Sequence, residues 1–203
     1  PQDPEGLIEL LGGDQKYTEK LDQLFNMSSN QEEGASMDIT GLIGQYAHGN
    51  EPSHHTTYMY AYSGEPYKIA DKVRYINNEL YTDQPDGLSG NEDCGQMSAW
   101  YMFSSMGFYP VNPSNGAYVF GSPLFDEVLI DLPKDKSFKI IADNNSDQNI
   151  YIQSVELNGI AHNHSYITHK QIMNGGELRF IMGNKPNYNF GKDKKFRPAS
   201  IVY

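Results

Sequence analysis

The sequence predicts an α+β chain in which a helical part, residues 1–112, is followed by a β-rich part, residues 113–203. Two changes in periodicity carry this. Upstream of Gly107, apolar residues recur at spacings of three and four, as in Ile69, Val73, Ile76 and Leu80, which marks one buried face of a helix. From Tyr118 onward the pattern becomes period two or short β-rich runs: AYVFG, DEVLIDL, SFKIIA, NIYIQSVELNG, HSYITHKQI and GELRFIMG, separated by Asn, Asp, Gly and Pro turns. The run NPSNG breaks the helical regime and places the boundary near Val111–Gly116.

In order, PQDPEGLIELLGG starts a helix at about Pro4, and DQKYTEKLDQLFN starts another at Asp14 with Tyr17, Leu21, Leu24 and Phe25 on one face. Residues 27–40 are polar and aperiodic and read as a loop with a cap at Asp38. HGNEPSHHTTYMYAYSG, residues 48–64, reads as a helix capped by Asn50, with Pro52 in its first turn and Gly64 as its stop. A further helix covers about Pro66 to Tyr81. GLSGNEDCGQMSAWYMFSSMGFYP, residues 87–110, is an acidic loop followed by a helix from about Cys94 to Met106, with Asp93 at the N-cap. The tail after Pro186 is turn-rich and is expected to be only partly ordered.

Short connections make successive helices alternate in direction, so the helices that begin near Glu51 and Asp93 run parallel and share an end. In a helical toroid the loops before the inner helices ring the mouth of the central cavity. Glu51 and Asp93 are therefore expected to open onto one pocket.

Composition excludes several classes. A formal net charge of −11 argues against a phosphate-binding surface, and the basic cluster at Lys192–Lys195 stands alone, so nucleic acid is not an expected partner. No apolar run is long enough for a membrane span, and the first residues lack a charged-then-apolar secretion signal. The one cysteine, Cys94, cannot form an internal disulfide, which is compatible with a cytosolic or a bacterial exported protein. P-loop, G-x-G-x-x-G and G-x-S-x-G patterns are absent.

The residues themselves leave several roles open. An Asp at a helix start keeps a low pKa, which suits either a general base or a plain cap. Glu92 reads as a carboxylate complementing the helix dipole. Asn50 and Glu51 offer hard oxygens at a loop-to-helix junction, a weak signal for calcium by itself. His48, His54 and His55 have spacing unlike the i, i+4 pair of zinc hydrolases, so they read either as sugar-contacting, pocket-lining groups or as satisfied structural histidines. His162, His164 and His169 read as surface residues. Trp100, Phe103, Tyr58, Tyr62 and Tyr101 read as core, and Cys94 as a packed bystander.

HGNEPSHHTTYMYAYSGEPYK, GLSGNEDCGQMSAWYMFSSMGFYPV, YVFGSPLF and NIYIQSVELNG together resemble the C-terminal part of the calcium-dependent exo-α-mannosidases of glycoside hydrolase family 92. The resemblance runs nearly end to end. It implies the C-terminal helices of an (α/α)6 barrel with associated β structure, and hydrolysis of α-mannosides, such as α-1,2-mannosides of N-glycans, with inversion at the anomeric carbon. It implies Asp93 as the general base, with Asn91 at a position often held by an assisting Asp. It implies Glu51 and Asn50 as part of a Ca2+ site, with His48, His54 and His55 near the sugar. The family's general acid, a Glu, belongs to a motif upstream of Pro1 and has no counterpart here, so the chain is expected to be a fragment that needs the rest of the parent domain. A mannose-containing oligosaccharide is the implied partner, and a bacterial periplasmic, cell-surface or secreted location the implied compartment. A non-catalytic carbohydrate-binding or structural module derived from that fold is the alternative.

Overall fold

The computed structural model describes residues 2–30 and 39–200. Four helices precede most of the sheet: α1 (Pro4–Leu11), α2 (Asp14–Asn26), α3 (Tyr67–Glu79) and α4 (Gln96–Met106). Each of the first three begins and ends within two residues of the bounds the apolar spacing suggests. Tyr17, Leu21 and Phe25 of α2 are buried, as are Ile69, Val73 and Ile76 of α3. A short hairpin, β1 (Leu42–Ile43) with β2 (Tyr46–Ala47), follows α2, and the cap expected at Asp38 lies outside the described residues.

The stretch 48–64 departs from the expected single helix. It forms two 3-10 turns, Glu51–Ser53 and Thr56–Ala61, and the Asn50 side chain makes no capping bond. Two histidines and two β-branched threonines in succession, His54 to Thr57, favour the tighter winding over a sustained α-helix. Residues Thr57 to Ala61 are buried on every side, so tertiary packing holds the turn.

β structure starts earlier than the period-two pattern suggests. β3 (Phe108–Asn112) follows α4 directly and contains Pro110, which masks it as a strand in the sequence. β3, β4 (Ala117–Phe120) and β9 (Tyr166–Thr168) form one antiparallel sheet in the order β3-β4-β9. The larger sheet has the order β5-β6-β10-β7-β8, from β5 (Glu127–Leu132), β6 (Lys136–Asp143), β7 (Tyr151–Leu157), β8 (Ile160–Ala161) and β10 (Gly176–Gly183). Only its β6–β10 pair is parallel, with Leu178 opposite Ile140. The segment HSYITHKQI splits: after β9, the reciprocal Thr168–Gln171 capping box starts the short helix α5 (His169–Met173).

The core has two parts. Trp100, Tyr58, Tyr60, Ile69 and Val73 belong to the helical one; Phe120, Phe138, Phe180 and Leu178 belong to the one beneath the sheet. Phe103 packs against both. Arg74, buried on α3, joins the layers by donating to Ser122 Oγ at 3.0 Å, to the Pro123 carbonyl and to Asn145 Oδ1. The segment after Pro186 is anchored rather than loose: Arg197 pairs with Asp14 at 2.8 Å, and the Phe196 carbonyl accepts from Ser165 N at 2.8 Å.

Candidate active site

Two loops meet at the start of α4. The first, residues 48–54, leaves the β1–β2 hairpin through Gly49, whose N–H donates to the Thr40 carbonyl at 3.1 Å. A Cβ at Gly49 would stand 2.7 Å from the Ser89 carbonyl and closer still to the Thr40 hydroxyl. Only glycine lets this backbone pass between the two neighbouring segments. The passage places Asn50 and Glu51 beside the second loop.

The second loop ends in a left-handed turn, with φ of 51° at Asp93, 57° at Cys94 and 95° at Gly95. Two non-glycine residues in this region cost about 1–2 kcal/mol each. Glu92 offsets that cost. Its carboxylate accepts from the N–H groups of Gly95 and Ser98, the latter at 3.1 Å, and its carbonyl accepts from Met97 N at 3.2 Å. Bonds from Ser98 and then Gly95 hold the Glu92 carboxyl below its ordinary pKa.

Glu92, not Asp93, is thus the residue that caps α4, and the helix proper begins at Gln96 rather than Cys94. The longer Glu side chain reaches across the left-handed turn to the first free N–H groups. Asp93 is left exposed, contributing only its carbonyl to the turn, 3.2 Å from Gln96 N.

Its side chain faces that of Glu51 closely enough to act on the Glu51 carboxyl. The Glu51 carboxyl lies below its ordinary pKa, first through its own backbone N–H and next through this contact with Asp93. The structure therefore brings together Glu51 and Asp93, with Asn50 adjoining Glu51, and Asn91 exposed two residues before Asp93.

The histidines divide. His48 and His54 are 0% and 1% exposed, with both ring nitrogens of each engaged within the chain, which is the structural role the sequence also offered for them. They stack on one another at 4.7 Å, and His48 meets Trp100 edge-on at 4.5 Å. Burial drives the His48 pKa down to about 3 and lowers that of His54. Their place between the aromatic runs Tyr46 and Tyr58–Tyr62 was the available sequence signal. His55 is half-buried and is lowered by burial to about 4, so it stands neutral. Cys94 is exposed rather than packed, because the left-handed turn lifts it off the helix. Trp100 and Tyr58 are core residues.

The donor set suits a hard cation in kind. Glu51 supplies a carboxylate, Asn50 an amide and a carbonyl oxygen, and the close carboxyl pair favours a positive charge. It falls short in number: among the described residues no group of three or more His, Cys, Asp or Glu is placed to hold a metal, whereas calcium takes about 6–8 oxygens.

Glycosidases work with carboxyl groups placed around the scissile bond, and Asp93 is such an exposed carboxyl, on a loop beside the aromatic-rich helix that carries Trp100. The comparisons with known proteins agree. The description of the glycosyl hydrolase family 92 catalytic domain matches residues 1–184, and the chain belongs to that family. A protein described as an uncharacterized secreted glycosidase, from Arthroderma benhamiae, is 31% identical over 99% of the chain and 24% of its own length. A family GH92 alpha-mannosidase of Bacteroides thetaiotaomicron is 41% identical, with a TM-score of 0.90, over 100% of this chain and 26% of that one. The structure of an inverting GH92 mannosidase from the same organism is 39% identical, with a TM-score of 0.85, over 98% of this chain and 28% of that one. The chain thus spans about a quarter of the length of these relatives.

Proposed function

We propose that this chain is the part of an inverting exo-α-mannosidase that supplies the general base and one side of a calcium and sugar site. The helices belong, on this reading, to an (α/α)6 barrel, and the substrates are terminal α-mannosides such as α-1,2-linked mannose of N-glycans. The observation that carries the proposal is the contact between the Glu51 and Asp93 carboxyls, on two loops tied together at the start of one helix. Support for the sugar comes from the alpha-mannosidases among the relatives, one of them solved in complex with mannoimidazole.

Inversion requires a carboxylate that takes a proton from water as it attacks the anomeric carbon opposite the leaving group, with an acid about 6.5–9.5 Å away to protonate the departing oxygen. Asp93 is the base: it is exposed, it sits beside the Glu51 carboxyl, and the bonds to the first N–H groups of α4 are taken by Glu92. Asn91 orients the water but cannot accept its proton. The acid is assigned outside residues 1–203. Glu51 and Asn50 would hold the calcium, which when bound ligates the sugar's vicinal hydroxyls and favours the distorted ring of the transition state. His55 lines the rim as a neutral donor or acceptor. The secreted relative supports a location outside the cytoplasm; a bacterial periplasmic, cell-surface or secreted location is the reading taken from the family resemblance. No helix among the described residues is long and apolar enough to cross a membrane.

Hydrolysis of an aryl α-mannoside by the complete protein and by its Asp93→Asn variant tests this. Loss of a positioned base costs about 10²–10⁴-fold; an unchanged rate would remove Asp93 from the chemistry.

A further inference from the structure

Behind the carboxyls, the two acidic loops are joined by side chains from each. His54 closes the first loop on itself, its ring Nε2 lying 2.9 Å from the carbonyl of His48, so that residues 48–54 form a ring with Glu51 near its middle. A carbonyl can only accept, so this bond places the proton of the neutral imidazole on Nε2 and leaves Nδ1 as an acceptor. Gln96, the first residue of α4, meets that acceptor with its amide nitrogen at 3.1 Å. The same amide nitrogen lies 3.2 Å from the Tyr109 hydroxyl on β3. Trp100, one turn further along α4, donates from its indole nitrogen to the His54 backbone carbonyl at 3.1 Å.

Gln96 is also the residue on which the left-handed turn closes: its N–H donates to the Asp93 carbonyl. One residue therefore grips Asp93 through its backbone and the Glu51 loop through its side chain. We infer that Gln96 is a positioning residue which sets the distance between the Glu51 and Asp93 carboxyls by joining the turn at Asp93 to the loop closed by His54. The inference rests on the reading of Asp93 as the base. Gln96 lies behind the pair, with its amide among His54 and Tyr109, and acts through the pair rather than on the sugar.

The test is a double-mutant cycle in the complete protein with an aryl α-mannoside, using Gln96→Met, Asp93→Asn and the two combined. Methionine keeps the length and flexibility of the side chain and removes the amide. A displacement on the order of 1 Å can cost roughly 10²-fold, so Gln96→Met is expected to lower kcat by about 10- to 100-fold with KM little changed. In the Asp93→Asn background, where the base is already absent, the same substitution is expected to cost little more, because coupled groups are non-additive. Gln96→Asn, whose shorter amide cannot span from the helix to both His54 and Tyr109, is read in the same way if the methionine variant does not fold. An unchanged kcat for a folded variant, or a loss equally large in both backgrounds, would overturn the inference. An Asp93→Asn protein of full activity would instead overturn the functional reading beneath it.

Discussion

The Nε2 of His48 lies 2.7 Å from the hydroxyl of Tyr81, and that hydroxyl lies 3.0 Å from the carbonyl of Met97, to which it donates. The acceptor at the end sets the direction of the whole chain: Tyr81 receives from His48 Nε2–H, and His48 Nδ1 receives from the Tyr46 hydroxyl at 2.8 Å. His48 is thereby a neutral strut between the hairpin that feeds the Glu51 loop and the first turns of α4.

A pH dependence of stability follows. The folded protein holds His48 neutral down to about pH 3, whereas an unfolded histidine takes up its proton near pH 6.5. Between these values the unfolded state binds more protons, so stability falls as pH drops from about 6.5 toward 3, with a slope from this residue approaching about 1.4 kcal/mol per pH unit. His54, also lowered by burial, acts in the same direction. Denaturant melts at pH 7 and pH 5 should show it, and a His48→Gln variant should have a shallower dependence even though it is less stable at pH 7.

If Glu51 holds the proposed calcium, its charge rather than its shape should matter. Glu51→Gln keeps the shape of the side chain and removes one negative charge from the pair. Calcium binding, read by calorimetry on the complete protein, should weaken by at least about tenfold, in line with the dependence of such sites on ligand charge. Chelation should abolish hydrolysis in the parent protein and added calcium restore it. Equal calcium affinity in the two proteins would place the cation elsewhere.

Glu92 caps α4 across a left-handed turn, so its removal should act on both stability and rate. Glu92→Ala frees the N–H groups of Gly95 and Ser98, and loss of a side chain that satisfies helix-start N–H groups is destabilising. The Asp93 turn should loosen with it. The expected result is a melting temperature lower by a few degrees together with a kcat loss larger than the change in folded fraction explains.

Arg74 is buried, makes no ion pair among the described residues and is satisfied by oxygens of the β layer, with burial lowering its pKa. Arg74→Met removes the donors, leaving the Pro123 carbonyl and the Asn145 amide oxygen short of a partner, at about 1–3 kcal/mol. Destabilisation of that size, measured by chemical denaturation, should appear without a change in KM for the mannoside, since the residue lies away from the carboxyl pair.

Elements whose signal is local were legible in the sequence. The apolar faces of α2 and α3 and the alternation in β5, β6 and β10 follow from side-chain periodicity, and the structure places them within a residue or two. β3 was not legible, because Pro110 is a poor strand signal and the strand is held by pairing Phe108 with Phe120. The helix expected at 48–64 resolves into two 3-10 turns, where the β-branched run at Thr56 and Thr57 favours tighter winding and the buried packing of Tyr58 and Tyr60 holds it.

For the site, residue types and order alone were enough to mark two acidic loop ends, Glu51 and Asp93, as candidates for one pocket, because carboxylates before helices are visible in a linear chain. Only the tertiary structure decided which acid caps the helix, that His48 and His54 are sealed in, and that Gln96 joins the two loops. The physical reason is that left-handed φ angles, burial and hydrogen bonds between residues some 40 positions apart depend on how distant segments pack. A glutamine in the first turn of a helix carries no sign in the sequence of what its amide will reach.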